Sequence, residues 1–432
     1  MSRFIFPFFF SCVNLIYGQN QWQPQENAPN FIGDFSKLDD VYFHDEELGW
    51  TLNSFGDVFR TEDGGETWNQ LDNLGVFLRC LKFANDSVGY TGSLEGTFGG
   101  PPSVAKIFKT VDGGNNWTDL TANITPAPSG FCGLSVVDEN AVFACGAFYS
   151  PARVYKSLDG GITWENIDMS PHAVALVDLH FSDVNNGFVV GASNAGGGVI
   201  LKTEDGGDTW DAVYETMVFT DLLWKIQKLD EDNYYASVAG VSATDGARIL
   251  VSNDGGNSWE SKLVFEELTQ LQGVGFIDSM HGFAGGFFDG IYETTDGGDS
   301  WELIDIGANY NRFQKINDSL MVASGHTIYS YTRDISLSTL PEGKAKPPHP
   351  FKVYPNPAAD HLTVEFEVPD NTFLEISLHD ENGREVLGFY RGWSTAGIHK
   401  LTRDMTKLSN GIYTIRLASR EGDVIERVVV AY

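Results

Sequence analysis

The chain has 432 residues, of which 59 are acidic and 28 basic, for a net charge of −31. That charge would repel a phosphate backbone, so nucleic acid is excluded as a partner. The length is enough for more than one folded core. The acidity reads as solubility in an extracellular medium or as a weak calcium-binding surface. No D-x-[DN]-x-[DN]-G loop or RTX nonapeptide is present, so no metal ligand and no cofactor is named.

Residues 1–18, MSRFIFPFFFSCVNLIYG, join one Arg to a short apolar run and a small residue before Gln19, the plan of a secretory signal peptide. The run is too short to span a bilayer, and nothing later approaches the twenty or so apolar residues of a membrane helix. The mature chain is expected to be exported, without a transmembrane segment. Cys12 falls in this leader, leaving Cys80, Cys132 and Cys145. Cys132 and Cys145 stand on adjacent predicted strands, where they can form a disulfide or pack as small hydrophobes. There is no CxxC and no His/Cys cluster at zinc spacing.

From Arg60 one pattern recurs: RTEDGGETW ending at Trp68, KTVDGGNNW at Trp117, KSLDGGITW at Trp164, KTEDGGDTW at Trp210, VSNDGGNSW at Trp259 and ETTDGGDSW at Trp301. Its aspartates, Asp63, Asp112, Asp159, Asp205, Asp254 and Asp296, lie 42 to 49 residues apart, the length of a four-stranded propeller blade. Each D-G-G predicts a hairpin turn, because Asp bonds nearby backbone amides and glycine reaches positive φ without steric cost. The preceding Lys-Thr or Lys-Ser ends strand C, and the Trp opens strand D. Strand A is predicted at LDDVYF (38–43), LRCLKF (78–83), FCGLSV (131–136), LVDLHF (176–181) and LQGVGF (271–276), and strand B at GWTL, GYTG, VFAC, GFVV, YYAS and GFAG.

Residues 310–332 supply strands A, B and C of a seventh unit that lacks both the D-G-G turn and the Trp. QWQPQENAPNFIGDFSKLDDVYF resembles the run from SWELID into the following strand A, with Trp22 in the place of a repeat Trp. An N-terminal strand around Trp22 is therefore expected to complete the last blade and close a seven-bladed ring. The D-G-G-x-[TS]-W turns resemble Asp-box (BNR) repeats. The wider G-x-I-x-K-T-x-D-G-G-x-T-W pattern resembles the single propeller of the photosystem II assembly and stability factor family. Sialidases, xyloglucanases and sortilin-type receptors use the same turn, so the resemblance implies a fold and not an activity.

The pattern stops near Ile335. LSTLPEGKAKPPHP, residues 337–350, reads as a linker. Alternating strands with Asn-Gly turns at Asn382 and Asn410 then predict a small β-sandwich. YPNPAAD (354–360), DENGREV (380–386) and LSNGIYTIRL (408–417) resemble the C-terminal sorting domain of type IX secretion substrates of the Bacteroidetes, although the chain ends on Tyr432 where that family usually has a basic residue. The resemblance implies the type IX machinery as a partner through residues 351–432, and secretion or attachment at the outer-membrane surface. The expected organisation is all-β: leader 1–18, propeller 19–336, linker 337–350 and sorting domain 351–432.

In an up-and-down blade the Asp boxes lie on the face opposite the B–C and D–A loops. The six Asp-box aspartates and the tryptophans Trp68, Trp117, Trp164, Trp210, Trp259 and Trp301 are therefore assigned to the scaffold. Loops vary from blade to blade while the turns repeat, which suits recognition on the loop face. Lys106, Arg153 and Arg248 share one register at the start of strand C, and Phe148, Tyr149, Phe287, Phe288 and Asp289 join them as candidates for holding a sugar or a peptide. No Arg-Ile-Pro tripeptide, G-x-S-x-G motif or P-loop occurs, and no carboxylate pair is marked by spacing among Asp57, Asp245 and Asp289. A binding propeller for an envelope or extracellular glycan or protein is preferred. The alternative is a xyloglucanase- or sialidase-like glycosidase.

Overall fold

The computed structural model describes residues 21–31, 37–94, 104–146, 151–240, 246–266, 270–333, 351–368, 372–380, 384–394, 396–419 and 424–431. From Leu38 to Thr332 the strands form antiparallel four-stranded sheets in the order A-B-C-D, seven in all once Gln21–Pro24 joins the last. In the first blade these are Leu38–Phe43, Gly49–Asn53, Asp57–Thr61 and Asn69–Asn73. Strands A and B are buried almost throughout and strand D is largely exposed, so each sheet runs from the core of the ring to its rim. Strand A of the fifth blade, Leu222–Lys228, lacks the L-x-x-[VL]-x-F pattern of the first, second, fourth and sixth blades, and the sequence does not mark it.

Each Asp box is closed by its own atoms. In the fourth blade Asp205 Oδ1 accepts from Thr203 Oγ1 and the Thr209 amide, both at 2.9 Å, while Oδ2 accepts from Thr209 Oγ1 at 2.6 Å. The Gly207 amide donates to Thr203 Oγ1 at 2.8 Å, which explains the Thr or Ser two residues before every Asp. The paired glycines have φ of 70–75° and 78–95° across the six boxes, a region open to glycine and costly for other residues. A second turn repeats without a sequence flag. Asp45, Asn85, Asp138, Asp183, Asp230, Asp278 and Asn317 each accept from backbone amides two and three residues on, shaping the A–B turns.

The ring is closed by Gln21–Pro24, which pairs antiparallel with Ile328–Thr332 so that Trp22 stands opposite Tyr331. Trp22 is 1% exposed and packs edge-on to Phe283 of the sixth blade, at 5.0 Å between centroids, and to Phe313 of the seventh, at 5.7 Å. Gln25 then reaches into the first blade. Its Nε2 donates to Gly64 O at 3.2 Å, and its Oε1 accepts from Trp68 Nε1 at 2.9 Å. Other blades are stapled by the basic residue ahead of the box: Arg60 donates to Gly113 O at 3.3 Å and Lys109 to Gly160 O at 2.9 Å.

Within the C-terminal body, Phe351–Tyr354, His361–Val368 and Gly397–Asp404 form one sheet. Glu385–Ser394, Thr372–His379, Gly411–Ser419 and Val424–Val430 form a second. Leu362, Val364 and Phe366 from the first share a core with Leu374, Ile376, Leu378, Ile415 and Leu417 from the second, the alternation of half-buried strands. Asn356 of the YPNP motif clips this body at its edge, donating to Arg427 O at 2.7 Å and accepting from the Val429 amide at 2.8 Å.

Candidate functional site

Backbone bonds identify the faces of the ring. The amides of Gly64, Gly113 and Gly160 donate to Glu47, Ser87 and Asn140 in the A–B turns at 2.8–2.9 Å, so Asp boxes and A–B turns share one face. The B–C and D–A loops lie on the other.

On that loop face the three basic candidates are committed to acids. Lys106 Nζ lies 3.0 Å from Asp119 Oδ2, and Arg153 lies 3.7 Å from Asp168, its cross-strand partner. Arg248 lies 2.6 Å from Asp221, whose side chain is fully buried. Phe287 is 51% exposed, with the Lys37 ammonium 4.4 Å from its ring centroid, a cation–π contact. Phe288 turns the other way and packs against Phe265 and Tyr292, at 5.2 and 5.8 Å between centroids. Asp289 opens strand C of the sixth blade opposite Ala308 and is exposed. The structure thus places Phe287 and Asp289 beside the Lys37 lead-in, while Lys106, Arg153 and Arg248 each serve their own blade. Phe148, Tyr149 and Asp245 lie outside the described residues.

A second polar centre, on the axis of the ring, was not marked by the sequence. Strand A of every blade lines this channel, and the first polar layer joins distant blades. Trp224 Nε1 of the fifth blade donates to Asn311 Oδ1 of the seventh at 3.0 Å. The Arg79 guanidinium of the second blade lies 5.5 Å from the Trp224 ring and pairs with Asp39 of the first. Leu94, Cys132, Val177 and Ala239 pack with Trp224 and close this end toward the loop face.

One layer deeper, Arg312 spans the channel. Its Nε donates to Asp40 Oδ1 at 2.9 Å, and its two terminal nitrogens hold Asp178 at 2.9 and 3.1 Å, a bidentate geometry. Burial opposes ionisation of all three groups, and their mutual attraction outweighs it: both carboxyls are held below the usual range and the guanidinium above its own. Beside them Lys225 is fully buried, and burial together with Arg312 lowers its pKa. Lys37 is lowered to about 7 and Lys82 to about 8, chiefly by burial. Toward the Asp-box face the lining becomes half-buried at Tyr42, Lys82, His180, Gln227 and Gln314, so the channel is closed at the loop end and opens at the other.

The three cysteines of the propeller are buried and form no disulfide with one another. Burial raises the Cys80 and Cys145 thiols well above their ordinary values, which leaves them protonated and unreactive.

No curated protein matches the chain. Among solved structures, a YCF48 bound to a D1 peptide superposes with a TM-score of 0.56 at 17% identity, covering 73% of this chain and 98% of that one. YCF48 from Cyanidioschyzon merolae gives 0.53 at 18%, covering 72% and 98%. The GH74 xyloglucanase from Xanthomonas campestris gives 0.55 at 12%, covering 95% of this chain and 68% of that one. At these identities the likeness establishes the propeller and nothing about activity. The family models reach further: one described as photosynthesis system II assembly factor YCF48 matches residues 19–167 and 157–269, and one described as secretion system C-terminal sorting domain matches residues 352–431. The chain therefore belongs to the YCF48 assembly-factor family through its propeller and ends in a secretion sorting domain, which marks it as cargo for export by the type IX system.

Proposed function

We propose that this is a non-catalytic binding propeller, delivered outside the cell or to its surface, that holds a polypeptide segment on its loop face. One observation carries the reading. Among the described residues, every carboxyl whose pKa is displaced is displaced downward, including Asp119 and Asp168 on the loop face and Asp40 and Asp178 in the channel. Glycoside hydrolysis needs one carboxylic acid kept protonated to donate to the leaving oxygen. Asp57, too, accepts from Asn53, Gln70 and Asn73, which suits a structural anion. A peptide is favoured over a glycan because a related propeller of this family carries a bound peptide. The leader at 1–18 delivers the chain to the periplasm, and residues 337–350 separate the two bodies.

The test uses exposed or half-exposed candidates: Lys106→Ala, Phe287→Ala and Asp289→Ala. Each is expected to weaken retention on solubilised envelope protein about tenfold, or about 1.4 kcal/mol, at an unchanged melting temperature. Asp205→Ala is expected to lower the melting temperature instead. Release of reducing sugar from xyloglucan by the purified chain would overturn the reading, as would loss of retention confined to Asp-box variants.

A further inference from the structure

Lys225 stands apart from the other buried charges because its ammonium has no hydrogen-bond partner among the described residues. The side chain is less than 2% exposed and projects from strand A of the fifth blade in register with Asp40, Asp178 and Arg312. Those three groups are spent on one another. Asp178 Oδ2 also accepts the Ile226 amide at 3.2 Å, and Asp40 accepts the amides of Val41 and Leu81 at 3.0 and 3.1 Å. Neither carboxylate hydrogen-bonds to Lys225, although both attract it through space.

On its other side Lys225 faces cations. Arg79 and Lys37 both act on it through space, and Arg79 Nε is likewise buried without a partner. Lys37 Nζ donates to the neutral Gln272 side chain at 2.7 Å. Around this end four cations, Lys37, Arg79, Lys225 and Arg312, face three carboxylates, Asp39, Asp40 and Asp178. Leaving a buried donor without an acceptor is costly, more so when it is charged, and two such donors beside a surplus of positive charge describe an acceptor that the described residues do not supply. Asp39 leaves one carboxylate oxygen unpaired, and Asp40 and Asp178 are near enough to act on Lys225. That much negative charge opposes a dianion such as sulfate.

We propose that the closed end of the channel binds a small monovalent inorganic anion, of halide or nitrate size, between Lys225 and Arg79. The anion completes the hydrogen bonding of both donors and holds the A strands of the second and fifth blades across the axis. The site lies on the axis beneath Leu94, Cys132, Val177, Ala239 and Trp224, which separate it from the loops of the proposed peptide surface.

Bromide is the probe, titrated against gluconate at fixed ionic strength and pH on the purified full chain. Thermal unfolding should rise by roughly 2 °C per tenfold bromide above half-saturation. The rise should persist in Lys202→Met, a control on the Asp-box surface, and vanish in Lys225→Met. Should Lys225→Met not fold, bromide-grown crystals of the unsubstituted chain decide alone: an anomalous peak within about 3.5 Å of Lys225 Nζ is expected. An equal bromide response in Lys225→Met, no response in the unsubstituted chain, or density at Lys225 Nζ without anomalous signal would each overturn the proposal.

Discussion

Asp205 illustrates what one acidic side chain does in this chain. Its two oxygens collect the hydroxyl and amide of Thr209 and the hydroxyl of Thr203, and these bonds favour the ionised form strongly enough to bring its pKa to about 2. A carboxyl whose pKa is depressed on folding adds stability above its unfolded value, near 4, and loses it as pH falls toward the folded value. The other five Asp-box residues shift in the same direction. Asp205→Asn keeps the shape but removes the charge, so it should unfold at lower urea than the parent at pH 6. That gap should close between about pH 4 and pH 2. A difference that did not change over this range would mean that ionisation of the box contributes nothing to stability.

At the scale of elements, the hairpins could be read from the sequence because each turn carries its own cause: a Thr or Ser, an Asp and two glycines within five residues. Strand A of the fifth blade could not. Its register irregularity between Leu223 and Ile226 is shared by other A strands, but Ile226 and Lys228 stand where most of those have Val or Leu and Phe, and its Trp224 and Lys225 are buried. The channel escaped detection for a related reason. Arg312 meets Asp178 across 134 residues and Asp40 across 272, so nothing within any one strand marks the pairing. On the loop face, position was legible and pairing was not, since Asp119, Asp168 and Asp221 neutralise the basic candidates only after folding sets their registers. The N-terminal strand was legible because a Trp at blade spacing filled the one vacancy in the repeat. Trp22→Ala should cost about 3–5 kcal/mol in denaturant unfolding, and Trp22→Phe should recover most of it, because the indole nitrogen has no hydrogen-bond partner among the described residues. Unchanged unfolding in Trp22→Ala would mean that the last blade does not depend on this strand.

For the whole molecule, folding and export are expected to be separable. Every propeller sheet draws its strands from residues 21–332, including the one that closes the ring, and the sorting body builds its own core from Phe351 to Val430. Among the described residues neither sheet system borrows a strand from the other, so removing one is expected to leave no unpaired edge in its neighbour. A chain ending at Ser336 should therefore unfold with a melting temperature within a few degrees of the full chain, yet accumulate in the periplasm of a type IX-competent host. Residues 351–432 fused to an unrelated periplasmic carrier should deliver that carrier outside. The two arms isolate different failures. If the truncated chain does not fold, the boundary at 336 is misplaced, whereas a folded, truncated chain that still reached the medium would show that the C-terminal body is not what directs its export.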